Sequence, residues 1–235
     1  MALHIYQQLN KADQASEGGT QTNPIETTHD GNEGETKRVK AYLANDDDAV
    51  EYQTVRLTPV DSTGTDESSW AALRYLEAIA SSISGGGTIS YATGIEPLGY
   101  ADINFRVEID SSGDVGVSTF KWSANSGIDW NATGVSTSMG AELISGISID
   151  FNIASGVSSG VDFLAGDIAM FALKAVSSGL ELAFPDIPRS SVAPVGGTIA
   201  DGFPFWLEVA VPGDMESQNK TDIGIRIQAN AGLVS

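Results

Sequence analysis

Apolar and polar residues alternate in short runs through much of the chain, and a period of two residues is typical of β-strands. Val39, Ala41 and Leu43 form one such run, and residues 55–58 form another. Between them lie Asn-Asp-Asp-Asp at residues 45–48, whose side chains favour turns by hydrogen bonding to nearby backbone amides. The pattern predicts a β-hairpin or a sandwich corner at this place.

The middle and the end of the sequence repeat this pattern. Residues 103–109 alternate strictly, turn-forming residues follow at 110–114, and residues 115–121 begin a partner strand. Further strand patterns lie at residues 143–153, 168–173, 203–212 and 223–227. Short strands at such regular spacing are typical of sandwiches and barrels, so the sequence predicts a mainly β fold.

One segment has a helical period instead. Between residues 67 and 83 the large apolar residues recur at spacings of three and four, behind Asp66 or Ser68 as capping residues. Three glycines at 85–87 end the pattern. We predict one short helix over residues 67–83, and the alternative is that residues 70–73 enter a strand.

The strand patterns near the two ends of the sequence need partners, because a lone hairpin is marginally stable in water. We therefore predict a discontinuous domain formed by residues 23–84 and 190–235, with a second β domain inserted at 85–189. Residues 1–22 are mostly polar and are predicted to form an N-terminal arm. Such an arm is either a mobile tail or a segment that becomes ordered on a neighbouring subunit.

Charge and composition narrow the classes of function. The 31 acidic residues against 12 basic ones give a net charge of −19, which repels nucleic acid and anionic lipid. Cysteine is absent, so disulfides and thiolate metal sites are excluded. We expect neither a signal peptide nor a membrane span, since no long apolar run occurs. Adaptation to high salt is the alternative reason for the charge, but 18% charged residues is low for it.

Candidate catalytic and metal-binding residues are few. The two histidines, His4 and His29, have no evident partners for general base catalysis, so no catalytic residue and no enzyme activity are predicted. Asp30, Asn32 and Glu35 carry oxygen ligands that suit Ca²⁺, but they do not match the twelve-residue calcium loop. We expect no metal or other cofactor and a solvated turn here, and these three residues are the candidates if a metal binds.

Aromatic and acidic residues suggest a sugar site as another alternative. Trp122 and Trp130 flank the turn at 125–127 and are candidates for a glycan-stacking platform, to which Tyr100 could contribute. Rings of this size are more often buried, and we expect burial for both and for Trp206. Four acids lie near the same strand pattern, but nothing marks the cleft that a glycosidase carboxylate pair needs. They are Asp102, Glu108, Asp110 and Asp114.

Two stretches resemble modules of tailed-phage virion proteins. Residues 121–135 (KWSANSGIDWNATGV) and 163–167 (FLAGD) resemble a β repeat of phage tail and other surface structural proteins, in which a KWS..GG..W.ATGV hairpin precedes an F.AGD turn. The chain has Ser126-Gly127 where the repeat has two glycines. Residues 28–35 and 39–47, together with 205–227, are similar to immunoglobulin-like domains of phage structural proteins, whose early strand ends in an Asn-Asp-Asp turn and whose late hairpin contains TDI.IRI.

The resemblance implies that the discontinuous domain is an immunoglobulin-like sandwich and that the chain is a non-enzymatic structural subunit of a virion. The expected place is the tail tip or baseplate region, and capsid decoration or a head fibre is the alternative. Expected partners are other virion proteins and further copies of the chain, with no nucleic acid and no membrane. A carbohydrate-binding adhesin that contacts host-surface glycan through Trp122 or Trp130 is the alternative from another class.

Overall fold

The structure is a computed structural model that describes residues 3–8, 10–17, 22–30, 32–61, 67–91, 102–144, 146–153, 161–176, 180–191, 202–215 and 223–233. Strands dominate it, and the prediction of a mainly β fold is confirmed. The strands are, in chain order, β1 (Leu3–Gln8), β2 (Ala12–Gln14), β3 (Glu35–Asn45), β4 (Val50–Asp61), β5 (Ala71–Ser82), β6 (Gly87–Tyr91), β7 (Ile103–Ser111), β8 (Thr119–Ser123), β9 (Ala132–Ser136), β10 (Ala141–Ile144), β11 (Ile147–Ile153), β12 (Ile168–Val176), β13 (Leu182–Ala183), β14 (Phe203–Val211) and β15 (Ile223–Leu233).

The chain divides into two compact units. Unit 1 comprises Met1–Tyr75 and Ala175–Ser235, and unit 2 comprises Leu76–Lys174. The chain passes into unit 2 within β5 and returns to unit 1 within β12. Both boundaries lie earlier than those of the insert expected at 85–189. They fall inside strands, so the glycine-rich and proline-rich segments of the sequence do not mark them.

Unit 1 encloses its core between two sets of strands. One set has the order β2-β1-β3-β14-β5, and the other has the order β13-β4-β15. β14 pairs antiparallel with β3, with Phe203 opposite Leu43, and β15 pairs antiparallel with β4 along its length. Alternate side chains of a strand point to the same face. The inward faces of both sets bury apolar side chains in one core. Its fully buried members include Leu43, Leu57, Leu73 and Phe205.

Unit 2 has the same kind of architecture. Its strands are ordered β12-β7-β8-β9 in one set and β10-β11-β6 in the other, and neighbours such as β7 and β8 are antiparallel. The alternating residues of β7 are buried at Phe105, Val107 and Ile109. They meet an aromatic group in which the rings of Phe120 and Phe151 lie 4.7 Å apart. The strict alternation of apolar and polar residues in β7 therefore reflects one fully buried face of this strand.

The first strand corrects the expectation of an N-terminal arm at residues 1–22. Leu3 pairs with Asn45 and Tyr6 pairs with Tyr42, so β1 extends the strand set of its own chain next to β3. Leu3 and Ile5 are buried in the unit 1 core, and β2 pairs back onto β1. A few apolar residues suffice for this strand because β3 already offers an edge with which they can pair.

Residues 45–48 connect β3 to β4, which lie in different strand sets, so the alternative of a β-hairpin is wrong and the connection is a corner of the sandwich. The same residues anchor β1. The Asp47 amide donates to the Asn45 side-chain oxygen over 2.9 Å, the Tyr6 hydroxyl donates to the Asp46 carboxylate, and Lys11 Nζ lies 3.0 Å from that carboxylate. Burial, and then the bond to Asp46, raise the pKa of Tyr6. Burial alone would raise the pKa of Asp46, but the hydrogen bonds from Tyr6 and Lys11 outweigh it and hold that pKa below its usual range.

The helix predicted over 67–83 is wrong. Only Glu67–Trp70 is helical, as one 3₁₀ turn, and Ala71–Ser82 is strand β5. Leu73 of β5 lies opposite Leu207 of β14, so pairing with a distant strand outweighs the local period. The alternative of a strand entry at 70–73 agrees with the structure. No helix within the described ranges has the length and apolar character that a membrane crossing needs.

Candidate functional site

The two tryptophans that flank the 125–127 turn differ in their surroundings, since only one of them lies in the core of unit 2. Trp122 is buried in the core, with its ring centroid 6.4 Å from that of Phe105, so its expected burial is confirmed. Trp130 is only half-buried and is not part of the core, so the same expectation is wrong for it. The two rings therefore form no common platform. Tyr100 lies outside the described residues.

The Trp130 ring lies against two cationic side chains, which in turn contact two carboxylates. We call these five residues the Trp130 cluster: Arg106, Glu108, Asp110, Lys121 and Trp130. Lys121 Nζ lies 4.5 Å from the centroid of the Trp130 ring, and the Arg106 guanidinium carbon lies 5.9 Å from it. Glu108 accepts from Arg106 over 2.7 Å and from Lys121 over 3.0 Å. β7 and β8 build this arrangement because Glu108 and Lys121 are direct cross-strand partners.

The electrostatics of the Trp130 cluster favour structure over acid–base chemistry. Burial acts to raise the pKa of Glu108, but hydrogen bonds from Lys121 and Arg106 outweigh it, so that pKa lies below its usual range. One oxygen of Asp110 lies 3.7 Å from Lys121 Nζ, and the other accepts from the Gly134 amide over 3.0 Å. Asp102 and Asp114 lie beyond opposite ends of the nine-residue strand β7. The four acids therefore do not converge on one substrate position.

The loop between β8 and β9 is fixed by its own polar side chains. Ser123 Oγ accepts from the Gly127 amide over 2.9 Å, and Asn125 Oδ1 accepts from the Asp129 amide over 2.9 Å. Ser126 and Gly127 both have positive φ, 62° and 92°, which glycine adopts readily and serine does not. The KWSANSGIDWN sequence thus specifies a defined loop, and the serine stands at a position that favours glycine.

The FLAGD segment is a second fixed turn of unit 2. Asp167 is buried, and its two oxygens accept from the amides of Leu164 and Ser84, each over 2.8 Å. Phe163 is fully buried, and a Cβ at Gly87 would lie 2.3 Å from its ring. The phenylalanine therefore packs on the first residue of β6, the aspartate binds the segment just before it, and both are structural residues.

Large apolar side chains are exposed on loops at both ends of β8. Ile128, in the β8–β9 loop, is 79% exposed, and Val117 and Met139, beyond the other end of β8, are 72% and 70% exposed. The segments that carry Val117 and Met139 are joined by a 2.8 Å hydrogen bond between the hydroxyls of Ser118 and Thr137. Sequence inspection missed these three positions, because an apolar residue in a loop has no periodicity to mark it.

The metal candidates form a hydrogen-bonded turn. Asp30 Oδ1 accepts from the Asn32 amide over 3.0 Å, and one Glu35 oxygen accepts from the Asp30 amide over 3.0 Å. Lys37 forms an ion pair with the other Glu35 oxygen, and this contact is the main reason that the pKa of Glu35 is lowered. Across the described part of the chain, no three His, Cys, Asp or Glu side chains are placed to share a metal ion.

Unit 1 has a buried charged cluster that the sequence did not indicate. The Glu208 carboxylate lies between Arg74 and Arg38, at 3.0 and 2.7 Å, and so connects β14 to both of its neighbours. Trp206 is buried beside it but is not part of the unit 1 core, and Lys40 Nζ lies 5.2 Å from its ring centroid. Burial lowers the pKa of Lys40. Replacement of a buried ion pair by packed apolar residues is often neutral for stability, whereas removal of one partner leaves an uncompensated charge and is costly.

The fold and these clusters define a mainly β protein of antiparallel sheets. Comparisons with models of protein families, with curated proteins and with solved structures found no match. The residues themselves are therefore the basis for a functional proposal.

Proposed function

We propose that the chain is a non-enzymatic structural subunit of a tailed virus particle, in the tail tip or baseplate region, that contacts other virion proteins and copies of itself. The observation that carries this proposal is the display of Ile128, Val117 and Met139 on fixed loops. The β8–β9 loop and the FLAGD turn are also the two segments that resemble the phage tail repeat. Capsid decoration or a head fibre would use the same contact surfaces.

The energetics of association support contacts of this kind. Burying one such side chain in an interface contributes roughly 1.5–3 kcal/mol. Loops that are already held by hydrogen bonds lose little entropy on binding. With a net charge of −19, general surface contacts between copies are repulsive, so apolar positions are where association is least opposed.

The partial exposure of Trp130 supports one candidate function of another class. An aromatic ring above Lys121 and beside Arg106 is a surface on which a sugar ring can stack, as a carbohydrate-binding adhesin requires. Binding on a glycan array that is lost in Trp130→Ala, with folding intact by circular dichroism, would favour this function over assembly.

The assembly function is tested by measuring mass in solution by light scattering, together with negative-stain electron microscopy of the particles. We expect a discrete oligomer that Ile128→Ser or Val117→Ser weakens at least tenfold in concentration. The matched control is Leu180→Ser, which changes a 57% exposed apolar residue outside unit 2. A monomer at every concentration would contradict the proposal.

A further inference from the structure

Among the described residues, strand β15 is a long edge strand. It pairs with β4 over its whole length, from Ile223 opposite Asp61 to Leu233 opposite Val50, and it is the terminal strand of its set. Within the described ranges no strand pairs with its other side. Unpaired N–H and C=O groups along such an edge can pair with a strand from another molecule.

Strand β15 has few of the usual protections of an edge strand. Its eleven residues contain neither proline nor any acidic residue or lysine, and Arg226 is its only charged residue. Its register with β4 is interrupted once, and the extra residue belongs to β4, where Thr54 has a φ of 54°. β15 itself therefore stays regular, whereas protected edges carry charges, prolines or bulges.

The sequence of β15 has a symmetry that suits pairing with itself. Read from either end, IGIRIQANAGL gives the same order of apolar, glycine, apolar, polar and apolar residues around a central Gln228. If two copies of β15 paired antiparallel with Gln228 at the centre, each residue would lie opposite a residue of the same type (apolar, glycine or polar) on the same face of the sheet. The resulting pairs are Ile223 with Leu233, Gly224 with Gly232, Ile225 with Ala231, Arg226 with Asn230, and Ile227 with Ala229.

We propose that β15 pairs antiparallel with β15 of a second copy of this chain about a two-fold axis at Gln228. The proposal rests on the assembly function and names the surface and partner of one contact. A two-fold contact of this kind uses the same surface on both copies, as the symmetry of the strand requires.

Burial and charge favour this partner and this direction. Leu233 is 87% exposed and would be covered by Ile223 of the second copy. Ile225 and Ile227 are only partly buried on the unit 1 core, so an added strand removes more apolar surface from water. A parallel pair in register would place the two Arg226 side chains opposite each other, which is unfavourable. The antiparallel pair places Arg226 opposite asparagine.

Disulfide trapping tests this geometry, because the chain has no cysteine of its own. Opposite residues in antiparallel strands have Cα atoms about 4.5–5.5 Å apart, within the roughly 4.4–6.8 Å that a disulfide spans. In the proposed pair, Gln228→Cys therefore faces its own copy. Arg226→Cys and Asn230→Cys are matched controls on exposed positions of the same strand. Each control residue would be displaced from its copy by about 13 Å along the strands.

We expect Gln228→Cys to form a disulfide dimer at least tenfold faster than either control on mild oxidation. The double variant Arg226→Cys/Asn230→Cys should form the dimer as fast as Gln228→Cys, because the cysteine at 226 of one copy then lies opposite the cysteine at 230 of the other. Equal rates for all variants in a protein that light scattering shows to be oligomeric would overturn the β15 pairing and leave the assembly function standing. A monomeric protein without selective trapping would overturn both.

Discussion

Gly87 gives the most direct test of the packing of unit 2. A Cβ built at this position would lie 2.3 and 2.4 Å from two ring carbons of Phe163 and 2.8 Å from the carbonyl oxygen of Asp162. Carbon atoms in contact prefer separations of about 3.5–4.0 Å, so Gly87→Ala requires the ring or strand β6 to move by about 1 Å. Phe163 is fully buried and packs edge-on against Phe151, so it has little room to move.

We expect Gly87→Ala to destabilise unit 2 by about 3 kcal/mol, at the upper end of the usual cost of overpacking. The slowest amides of β7 should then exchange with deuterium about a hundredfold faster, because 1.4 kcal/mol corresponds to a factor of ten. Gly224→Ala is the matched control: it also lies within a strand, and its Cβ would meet only Val60, at an ordinary 3.6 Å. In this variant the slowest amides of β4, the strand that pairs with β15 in unit 1, should exchange within about threefold of their rate in the parent protein.

A double-mutant cycle isolates the cause. Leucine lacks counterparts of the two ring carbons, so in a Phe163→Leu background the further change Gly87→Ala should cost less than about 1 kcal/mol. If Gly87→Ala alone leaves exchange within threefold of the parent, or costs the same in both backgrounds, the contact between Gly87 and Phe163 does not constrain the fold and the reasoning fails.

Four further substitutions probe Trp122, the Trp130 cluster and its loop. Ser126→Gly should stabilise the protein by about 0.5–1 kcal/mol by relieving the positive φ; thermal unfolding measures this, and a lower midpoint would contradict it. Trp122→Ala should cost about 3–5 kcal/mol and Trp130→Ala about 1 kcal/mol in urea unfolding, and similar costs would show that their burial differs less than described. Since the folded pKa of Glu108 is lowered, it contributes stability above its unfolded pKa of about 4.3 that is lost as pH falls below it. Glu108→Gln should therefore flatten the loss of stability between about pH 5 and 3, and an unchanged slope would exclude that contribution.

Strands could be predicted wherever alternation reflects burial of one face. Val107 and Ile109 of β7, and Phe205 and Leu207 of β14, are buried as their period indicates. The same reasoning failed for β5, because its apolar residues fit both the two-residue period of a strand and the spacing of three and four residues of a helix. Leu73 and Tyr75 are spaced as a strand and are buried, but the wider set of apolar residues also fits a helix. The choice is made by β14, which lies far away in the sequence.

The Trp130 cluster was less predictable from the sequence, since it depends on the direction in which the β8–β9 loop carries Trp130. Trp122 lies within a strand, and alternation places it inside. Trp130 follows a loop whose positive φ at Ser126 and Gly127 redirects the chain, and no periodicity reaches across it. The cluster around Arg74 and Glu208 was missed for a related reason: the two residues meet only through strand pairing.

The division of unit 1 between two distant parts of the sequence has a consequence for folding order. Val39 pairs with Leu207 and Leu57 with Ile227, so neither strand set of unit 1 can close until β14 and β15 have been synthesised. Unit 2 is continuous in sequence, and its pairings can form earlier on the ribosome. The strands β3 and β4 must wait meanwhile with incomplete edges, which makes this interval the one in which nascent chains are most exposed to aggregation.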